Sequence, residues 1–258
     1  METSAIVTMP PYAPYMAEVL RHSIVSGIRL NTVMPVKDSL EDVLKRLSDE
    51  AAMHGKESAT VAAVNGNKLI MLEGPKRVVG PGEAVNIPHH SLQIEGNLTD
   101  TDKGYIEAAV KTGMHSYMLS FVESQNDVEE LKKLDSAAKV VAKIESRKGL
   151  EYVANDWKGE PRLMAARGDL FIELQMPHHI IPALEAILAK DKTAIAASRI
   201  FPSLAYSLEP ASQDIGDADN LLRMGYRTLM FGDDVCMQRD SIISGLNLLK
   251  AMAARYEK

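Results

Sequence analysis

Short apolar runs alternate along the chain with longer segments in which apolar residues recur at helical spacing. Eight of the short runs are rich in β-branched residues and are predicted strands. They cover 5–9, 28–33, 58–64, 116–122, 139–145, 162–168, 193–200 and 228–232. Most of them are continuously apolar and do not alternate with polar residues. This pattern is typical of strands that are buried on both faces, as in parallel sheets.

The segments between these strands carry apolar residues at positions i, i+3, i+4 and i+7, which predicts amphipathic helices. Asp38 or Ser39 marks the start of one helix, and Gly113 and Gly225 mark the ends of two others. The predicted helices cover 15–25, 38–55, 99–113, 177–191, 214–225 and 241–258.

Eight strands interspersed with helices within 258 residues predict an α/β fold of the (β/α)8 TIM barrel type. A doubly wound open sheet is the structural alternative. One irregular segment, 65–98, contains several glycines and prolines and two short apolar runs. It is predicted to be a short β-type excursion between the third strand and its helix. Because no linker-like composition interrupts the chain, residues 1–258 are predicted to form a single domain.

Composition narrows the class of protein. Hydrophobic residues make up 46% of the chain, charged residues 25%, and the net charge is −6. No Lys/Arg cluster is present, so nucleic acid is not an expected partner. No apolar run approaches the length of about 18 residues of a membrane helix, and the N-terminus lacks the pattern of a signal peptide. The lone Cys236 cannot form an intrachain disulfide. We therefore expect a cytoplasmic protein that does not bind a membrane.

Candidate chemistry lies in the stretch "VAKIESRKG", residues 141–149. Lys143 and Glu145 are two positions apart at the end of a predicted strand, so both side chains share one face. Asp169 follows the next strand, and carboxyl ends of barrel strands form the rim where active sites lie. Two carboxylates there can share a divalent cation, and an ammonium can stabilise an oxyanion. A rim salt bridge between Lys143 and a carboxylate is an equally open interpretation.

Two longer stretches resemble the pyruvate kinase catalytic barrel, a phosphoenolpyruvate/pyruvate-binding barrel. "VVAKIESRKGLEYV" is similar to the family's Lys-Ile-Glu strand, and "RLMAARGDLFIEL" is similar to its Ala-Arg-Gly-Asp-Leu-Gly-Ile-Glu strand. Weaker similarity to other strands of the family, including "SGIRLNTVMP" and "AIAASRI", extends the resemblance over about residues 3–235.

The resemblance implies catalytic and metal-binding roles for five residues. Glu145 and Asp169 would bind Mg²⁺ or Mn²⁺. Lys143 would face the enolate oxygen of pyruvate, and Ser198, where the family has threonine, would bind the carboxylate or help to deliver a proton. Arg29 matches the family's phosphate-binding arginine.

It also implies a substrate-binding set. The backbone N–H groups around Ala166, Arg167 and Gly168 would hold the substrate carboxylate. Asn31 matches one ligand of the family's potassium site. A second expected ligand is replaced by Val33, and the aspartate motif after strand three is not matched, so potassium is a doubtful cofactor.

Several features depart from the family. We expect the counterpart of the family's lid domain after strand three to be reduced to 65–98, and we expect no counterpart of its C-terminal domain. Phe171 stands where the family has glycine, and Glu123 stands where many members have a basic residue. Asp233 and Asp234, after strand eight, match the family only loosely and are equally well interpreted as helix caps.

Three hypotheses for function follow. The first, which we favour at this point, is a metal-dependent lyase, aldolase or decarboxylase acting on the enolate of pyruvate or another 2-oxo acid. The second is a minimal pyruvate kinase that transfers a phosphoryl group from phosphoenolpyruvate to a nucleotide. The third is a non-catalytic ligand-binding or assembly barrel. A small-molecule partner is expected from the first two, and assembly into a homo-oligomer is left open.

Overall fold

The structure is a computed structural model, and it describes residues 2–31, 34, 36–54, 57–62, 96 and 98–256. For residues 57–62 only the backbone is described. The predicted excursion at 65–98 therefore lies outside the described residues, apart from positions 96 and 98.

All eight predicted strands are present, and every pair of neighbours runs parallel. The strands are β1 Ser4–Thr8, β2 Val25–Asn31, β3 Glu57–Ala62, β4 Ser116–Leu119, β5 Lys139–Ile144, β6 Arg162–Ala166, β7 Ile195–Ala197 and β8 Thr228–Phe231. Each strand pairs with the next in sequence, and β1 also pairs with β8, so the sheet closes into a barrel. The predicted α/β class with a parallel sheet is confirmed.

Helices connect the strands. They are α1 Met16–Arg21, α2 Leu40–Met53, α3 Asp100–Lys111, α4 Gln125–Leu134, α5 Arg147–Asn155, α6 Arg167–Glu173, α7 Ile180–Lys190, α8 Ser212–Met224, α9 Asp233–Cys236 and α10 Arg239–Ala253. Two 3-10 helices, Pro177–His179 and Pro202–Ala205, precede α7 and α8.

Side-chain caps explain where several helices begin. The Ser39 hydroxyl accepts a hydrogen bond from the Asp42 N–H at the start of α2, as its position in the sequence predicts. Thr99 and Asp102 form a reciprocal capping box at the start of α3. The starts of α4, α5 and α6 were not among the predicted helices, although the Ser146 hydroxyl accepts from the Gly149 N–H at the start of α5.

Some predicted boundaries are wrong because backbone conformation ends the strands early. The run 116–122 is a strand only to Leu119, since Phe121 has a left-handed φ of 49°. The run 193–200 is a strand only over Ile195–Ala197, since the next residue, Ser198, has a φ of 67°. Neither conformation can continue a β-ladder.

Two apolar layers surround the sheet. The larger layer fills the space between the strands and the outer helices. The smaller layer fills the barrel interior and consists of Ile6, Met118, Met164, Ile195, Ala197 and Met230, with Val141 packed against them. Such a filled interior makes the barrel a packed core and not an open channel. None of the helices formed by the described residues is long and apolar enough to span a membrane.

Candidate active site

Alternation along the strands places polar side chains at the carboxyl end of the barrel. Met118 on β4 and Val141 on β5 pack in the interior layer. Because every second residue of a strand points to the same face, Ser120 and Lys143 lie above them on the inner side. The apolar floor of the barrel mouth thus carries a polar rim, as the position of Lys143 in the sequence predicts.

Lys143 and Glu145 form a direct ion pair. The Lys143 Nζ lies 2.9 Å from the Glu145 Oε1 and donates a hydrogen bond of 2.9 Å to the Ser120 Oγ. The other carboxylate oxygen of Glu145, Oε2, accepts a 2.8 Å hydrogen bond from the backbone N–H of Phe121. The left-handed φ of Phe121 accompanies this contact. Both predicted residues therefore share one face, and the ion pair of the alternative interpretation is also present.

Burial makes the charge on Glu145 costly. Only 1% of Glu145 is exposed, and burial raises the pKa of its carboxyl; Lys143 opposes this shift, and the nearby carboxylate of Asp169 adds to it. The side chain of Asp169 makes no hydrogen bond or ion pair with the residues that the structure describes. The carboxylates of Glu145 and Asp169, which follow β5 and β6, therefore interact electrostatically, and the Lys143 ammonium pairs with Glu145.

This donor set fits a hard divalent cation. Carboxylate oxygens are the ligands that Mg²⁺ prefers, and such sites commonly use only one or two carboxylates plus water or substrate oxygens. Among the described residues there is no group of three or more His, Cys, Asp or Glu side chains placed to hold a metal. Glu145 and Asp169 would therefore supply two ligands and leave the remaining positions to the substrate and solvent.

Arg29 lies inside the same mouth with part of its guanidinium unpaired. Its Nη1 donates to the Thr8 Oγ1 at 3.0 Å and lies 3.5 Å from the Asp233 Oδ1. Its buried Nε has no hydrogen-bond partner in the part of the chain that the structure describes. Burial lowers the pKa of Arg29, while Asp233 and Glu145 oppose this. A buried N–H donor without a partner is costly, and an acceptor atom of a bound ligand would remove that cost.

Asn31 and Asp233 form the wall beside Arg29. The Asn31 Nδ2 donates a 2.6 Å hydrogen bond to the Asp233 Oδ2. The suggestion that Asp233 caps a helix is wrong, since Gly232 is the N-cap of α9 and no side chain caps it. The carboxylate of Asp233, after β8, instead contacts Arg29 and Asn31, which both lie on β2. Its position in the sequence alone does not indicate these contacts.

Ser198 and Gly168 approach each other across the ends of β6 and β7. A Cβ atom at Gly168 would lie 3.3 Å from the Ser198 Oγ, which is tighter than ordinary contact. The absence of a side chain at Gly168 therefore leaves room for the Ser198 hydroxyl to approach this backbone. Ala166 is the N-cap of α6, and the predicted substrate-binding backbone of Ala166, Arg167 and Gly168 forms its first turn.

The side chain of Arg167 is directed away from the substrate position that the sequence suggests for its backbone. Its guanidinium donates to Asp217 on α8 and to backbone carbonyls after β7. Sequence analysis missed Asp217, Thr8 and Ser120. Ser120 could have been found because it lies two positions after the interior residue Met118, just as Lys143 lies two positions after Val141. No local pattern in the sequence marks Asp217.

Comparison with known proteins places the sequence of this chain in a family. The family model described as "Pyruvate kinase, barrel domain" matches residues 51–236. Among curated relatives, "Pyruvate kinase" of Thermoplasma acidophilum is 29% identical over 164 residues, which cover 58% of this chain and 29% of the relative. "Pyruvate kinase 1" of Saccharomyces cerevisiae is 28% identical over 182 residues, which cover 67% of this chain and 34% of the relative. "Pyruvate kinase" of Borreliella burgdorferi is 23% identical over 212 residues, which cover 79% of this chain and 44% of the relative.

Two consequences follow from these matches. The chain spans between 29 and 44% of the length of these relatives. Our favoured hypothesis of a lyase, aldolase or decarboxylase is wrong, because the relatives are named pyruvate kinase, which points to the phosphoryl-transfer alternative.

Proposed function

We propose, from the premise that this chain belongs to the pyruvate kinase family through its barrel domain, that it binds phosphoenolpyruvate at the carboxyl ends of its strands. The proposed reaction transfers the phosphoryl group to a nucleoside diphosphate. The proposal includes a complete (β/α)8 TIM barrel formed by residues 1–258 as one domain, with 65–98 as an insertion. The parallel pairing of eight strands in sequence order, with β1 beside β8, supports this architecture.

The observation that carries the proposal is the unpartnered Nε of Arg29, a buried residue that interacts electrostatically with Glu145. A phosphoryl group presents several anionic oxygens, and a guanidinium offers a planar fork of donors that matches them. Arg29 would therefore bind the phosphoryl group of the substrate. The Thr8 hydroxyl and Asp233 fix the orientation of the Arg29 side chain.

Lys143 is proposed to stabilise the charge that develops on the substrate. Transfer breaks the bond between phosphorus and the enol oxygen of phosphoenolpyruvate and forms a bond to a terminal oxygen of the nucleoside diphosphate. The electron pair of the broken bond stays on the enol oxygen, and the resulting enolate takes a proton at its carbon to give pyruvate. An ammonium fixed by Glu145 and Ser120 can stabilise that oxygen without reorganising.

The carboxylate end of the substrate is proposed to lie between two turns. The Ser198 hydroxyl and the backbone of Ala166, Arg167 and Gly168 approach each other there, and the serine is also the candidate for proton delivery. Glu145 and Asp169 would hold Mg²⁺ or Mn²⁺, which when bound neutralises charge on the substrate oxygens. Asn31 acts in this proposal through its hydrogen bond to Asp233.

The decisive experiment is a coupled assay of pyruvate formation from phosphoenolpyruvate and ADP with Mg²⁺, comparing the parent protein with Arg29→Lys. Lysine retains the charge but loses the Nε donor. Losing one hydrogen bond to a charged group costs about 1.5–3 kcal/mol, which corresponds to a rise in KM for phosphoenolpyruvate of roughly tenfold to a hundredfold. The KM for ADP should stay close to the parental value.

Arg21→Lys is the matched control, because Arg21 is an exposed arginine in the last turn of α1. It should leave both constants unchanged. A parent protein that forms no pyruvate would contradict the proposed reaction. Parental kinetics in Arg29→Lys would contradict only the phosphate-binding role of that residue.

A further inference from the structure

We propose that the side chains of Arg167 and Asp217 form a positioning pair that holds the turn after β7, and thereby places the Ser198 hydroxyl against the backbone of Gly168. The consequence for turnover rests on the proposed function, in which Ser198 contacts the substrate. The effect on the conformation of the turn does not depend on that function.

The first line of support is the set of acceptors around the Arg167 guanidinium, which is buried with 7% of its side chain exposed. Its Nη1 donates to both carboxylate oxygens of Asp217, at 2.7 and 2.8 Å. Its Nη2 donates to the backbone carbonyl of Ser198 at 2.6 Å and to that of Arg199 at 3.3 Å. Its Nε donates to the carbonyl of Ala197 at 3.3 Å. Three consecutive carbonyls thus converge on one cation.

The second line is the backbone strain in that turn. Ser198 and Arg199 both have left-handed φ values, 67° and 57°, and neither is a glycine. Such conformations are unfavourable for residues with a Cβ atom and persist only where surrounding contacts hold them. The guanidinium of Arg167 supplies contacts to the carbonyls of both residues, so it stabilises the conformation that the chain would otherwise avoid.

The third line is the connection to the site. Arg167 is followed directly by Gly168, whose Cβ position would lie 3.3 Å from the Ser198 Oγ. The turn after β6 and the turn after β7 are therefore joined twice, once by the guanidinium and once by the close approach of the serine. Asp217, on α8, accepts two hydrogen bonds from the Nη1 of Arg167 and thereby fixes the orientation of the guanidinium. Because arginine presents its donors in a rigid planar fork, fixing one end orients the other.

The test is Asp217→Asn, which preserves the volume of the side chain and removes its charge. Hydrogen exchange of the backbone amides in residues 198–206 should become faster in this variant, while exchange in β1 and β2 stays parental. We expect kcat to fall about tenfold to a hundredfold, the range that a small displacement of a catalytic group can produce. The KM for ADP should not change.

Two further variants separate positioning from general damage. Asp217→Glu keeps the carboxylate and should recover most of the protection and of kcat, even if Asp217→Asn folds poorly. Arg223→Gln removes an exposed ion pair with Asp219 on the same helix. This change should alter neither the hydrogen exchange of residues 198–206 nor kcat. In the double variant Ser198→Ala with Asp217→Asn, the loss of kcat should be no larger than in Ser198→Ala alone, since both changes remove one function.

Unchanged exchange of 198–206 in Asp217→Asn would overturn the positioning role. So would parental kcat in Asp217→Asn, or losses that multiply in the double variant, provided that the parent protein turns over. If the parent forms no pyruvate, the proposed function fails, and the exchange result alone still decides whether the pair holds the turn.

Discussion

At the scale of single residues, the mouth of the barrel combines buried charges that depend on each other. Glu145 is almost fully buried, and its carboxylate is stabilised by Lys143 and by one backbone N–H. Burial and the neighbouring Asp169 raise the pKa of Glu145, so the neutral form is favoured more than in water. Removing the ammonium of Lys143 would leave the buried carboxylate of Glu145 with one backbone N–H to offset the loss of its hydration.

Lys143→Met should therefore lower the free energy of unfolding, by about 3 kcal/mol near neutral pH, as expected when one partner of a buried pair is removed. A raised carboxyl pKa means that ionisation opposes folding as the pH rises through that pKa. The loss should consequently shrink as the pH falls and Glu145 becomes protonated. Urea unfolding at pH 7.5 and pH 5 measures both effects.

Lys111→Met is the matched control for this prediction. Its ion pair with Glu41 has a similar length, 3.2 Å, but both side chains are well exposed. Its effect should be much smaller at either pH, because exposed pairs are screened by solvent. Equal losses in the two variants would contradict the importance of burial for the Lys143–Glu145 pair.

At the scale of elements, the helices are held against the strands by apolar packing that leaves little free space. Gly245 on α10 faces the ring of Phe231, the last residue of β8, and a Cβ atom at this glycine would lie 2.7 Å from the Phe231 Cε1. Phe231 is completely buried, so its ring has little room to move. The approach of α10 to the barrel therefore depends on the absence of a side chain.

Gly245→Ala should destabilise the protein by about 1–3 kcal/mol, the usual cost of adding a methyl group to a packed core. Gly104→Ala on α3 is the control, because its Cβ would meet no atom within 4 Å. That change should stabilise the protein slightly, since alanine favours helix. Thermal unfolding of the two variants should shift in opposite directions, and a shift in the same direction would contradict the packing argument.

At the scale of the whole molecule, closure of the sheet brings the first and last strands together and completes the mouth. Arg29 on β2 and Asp233 after β8 lie 204 positions apart in sequence and meet at 3.5 Å. The cation site proposed on Glu145 and Asp169 belongs to the same closed rim. A ligand that binds only the folded rim stabilises the entire molecule by mass action.

Mg²⁺ should therefore raise the temperature of unfolding of the parent protein, and the effect should grow with concentration. At a concentration of about 100 Kd the gain is about 2.7 kcal/mol. Asp169→Asn should abolish most of this gain, whereas Asp49→Asn, which changes an exposed carboxylate on α2, should retain it. An equal gain in all three proteins would place the binding elsewhere and contradict the proposed ligands.

The amino-acid sequence by itself determined the alternation of strands and helices, and hence the α/β class, because apolar periodicity reflects local burial. It also determined that Lys143 and Glu145 share a face, since strand spacing fixes the direction of side chains. It did not determine strand ends at Leu119 and Ala197, because left-handed residues such as Phe121 and Ser198 are not marked by their side chains.

Only the tertiary structure decided which distant groups meet. The contacts of Asp233 with Arg29, and of Arg167 with Asp217, join elements that no local pattern connects. Their geometry depends on the register of parallel strands and on closure of the barrel, which are set by the packing of the whole chain. Local sequence patterns indicate which side chains are buried and to which face of a strand they point. The pairing of charged side chains across the barrel mouth follows from closure of the sheet into a barrel.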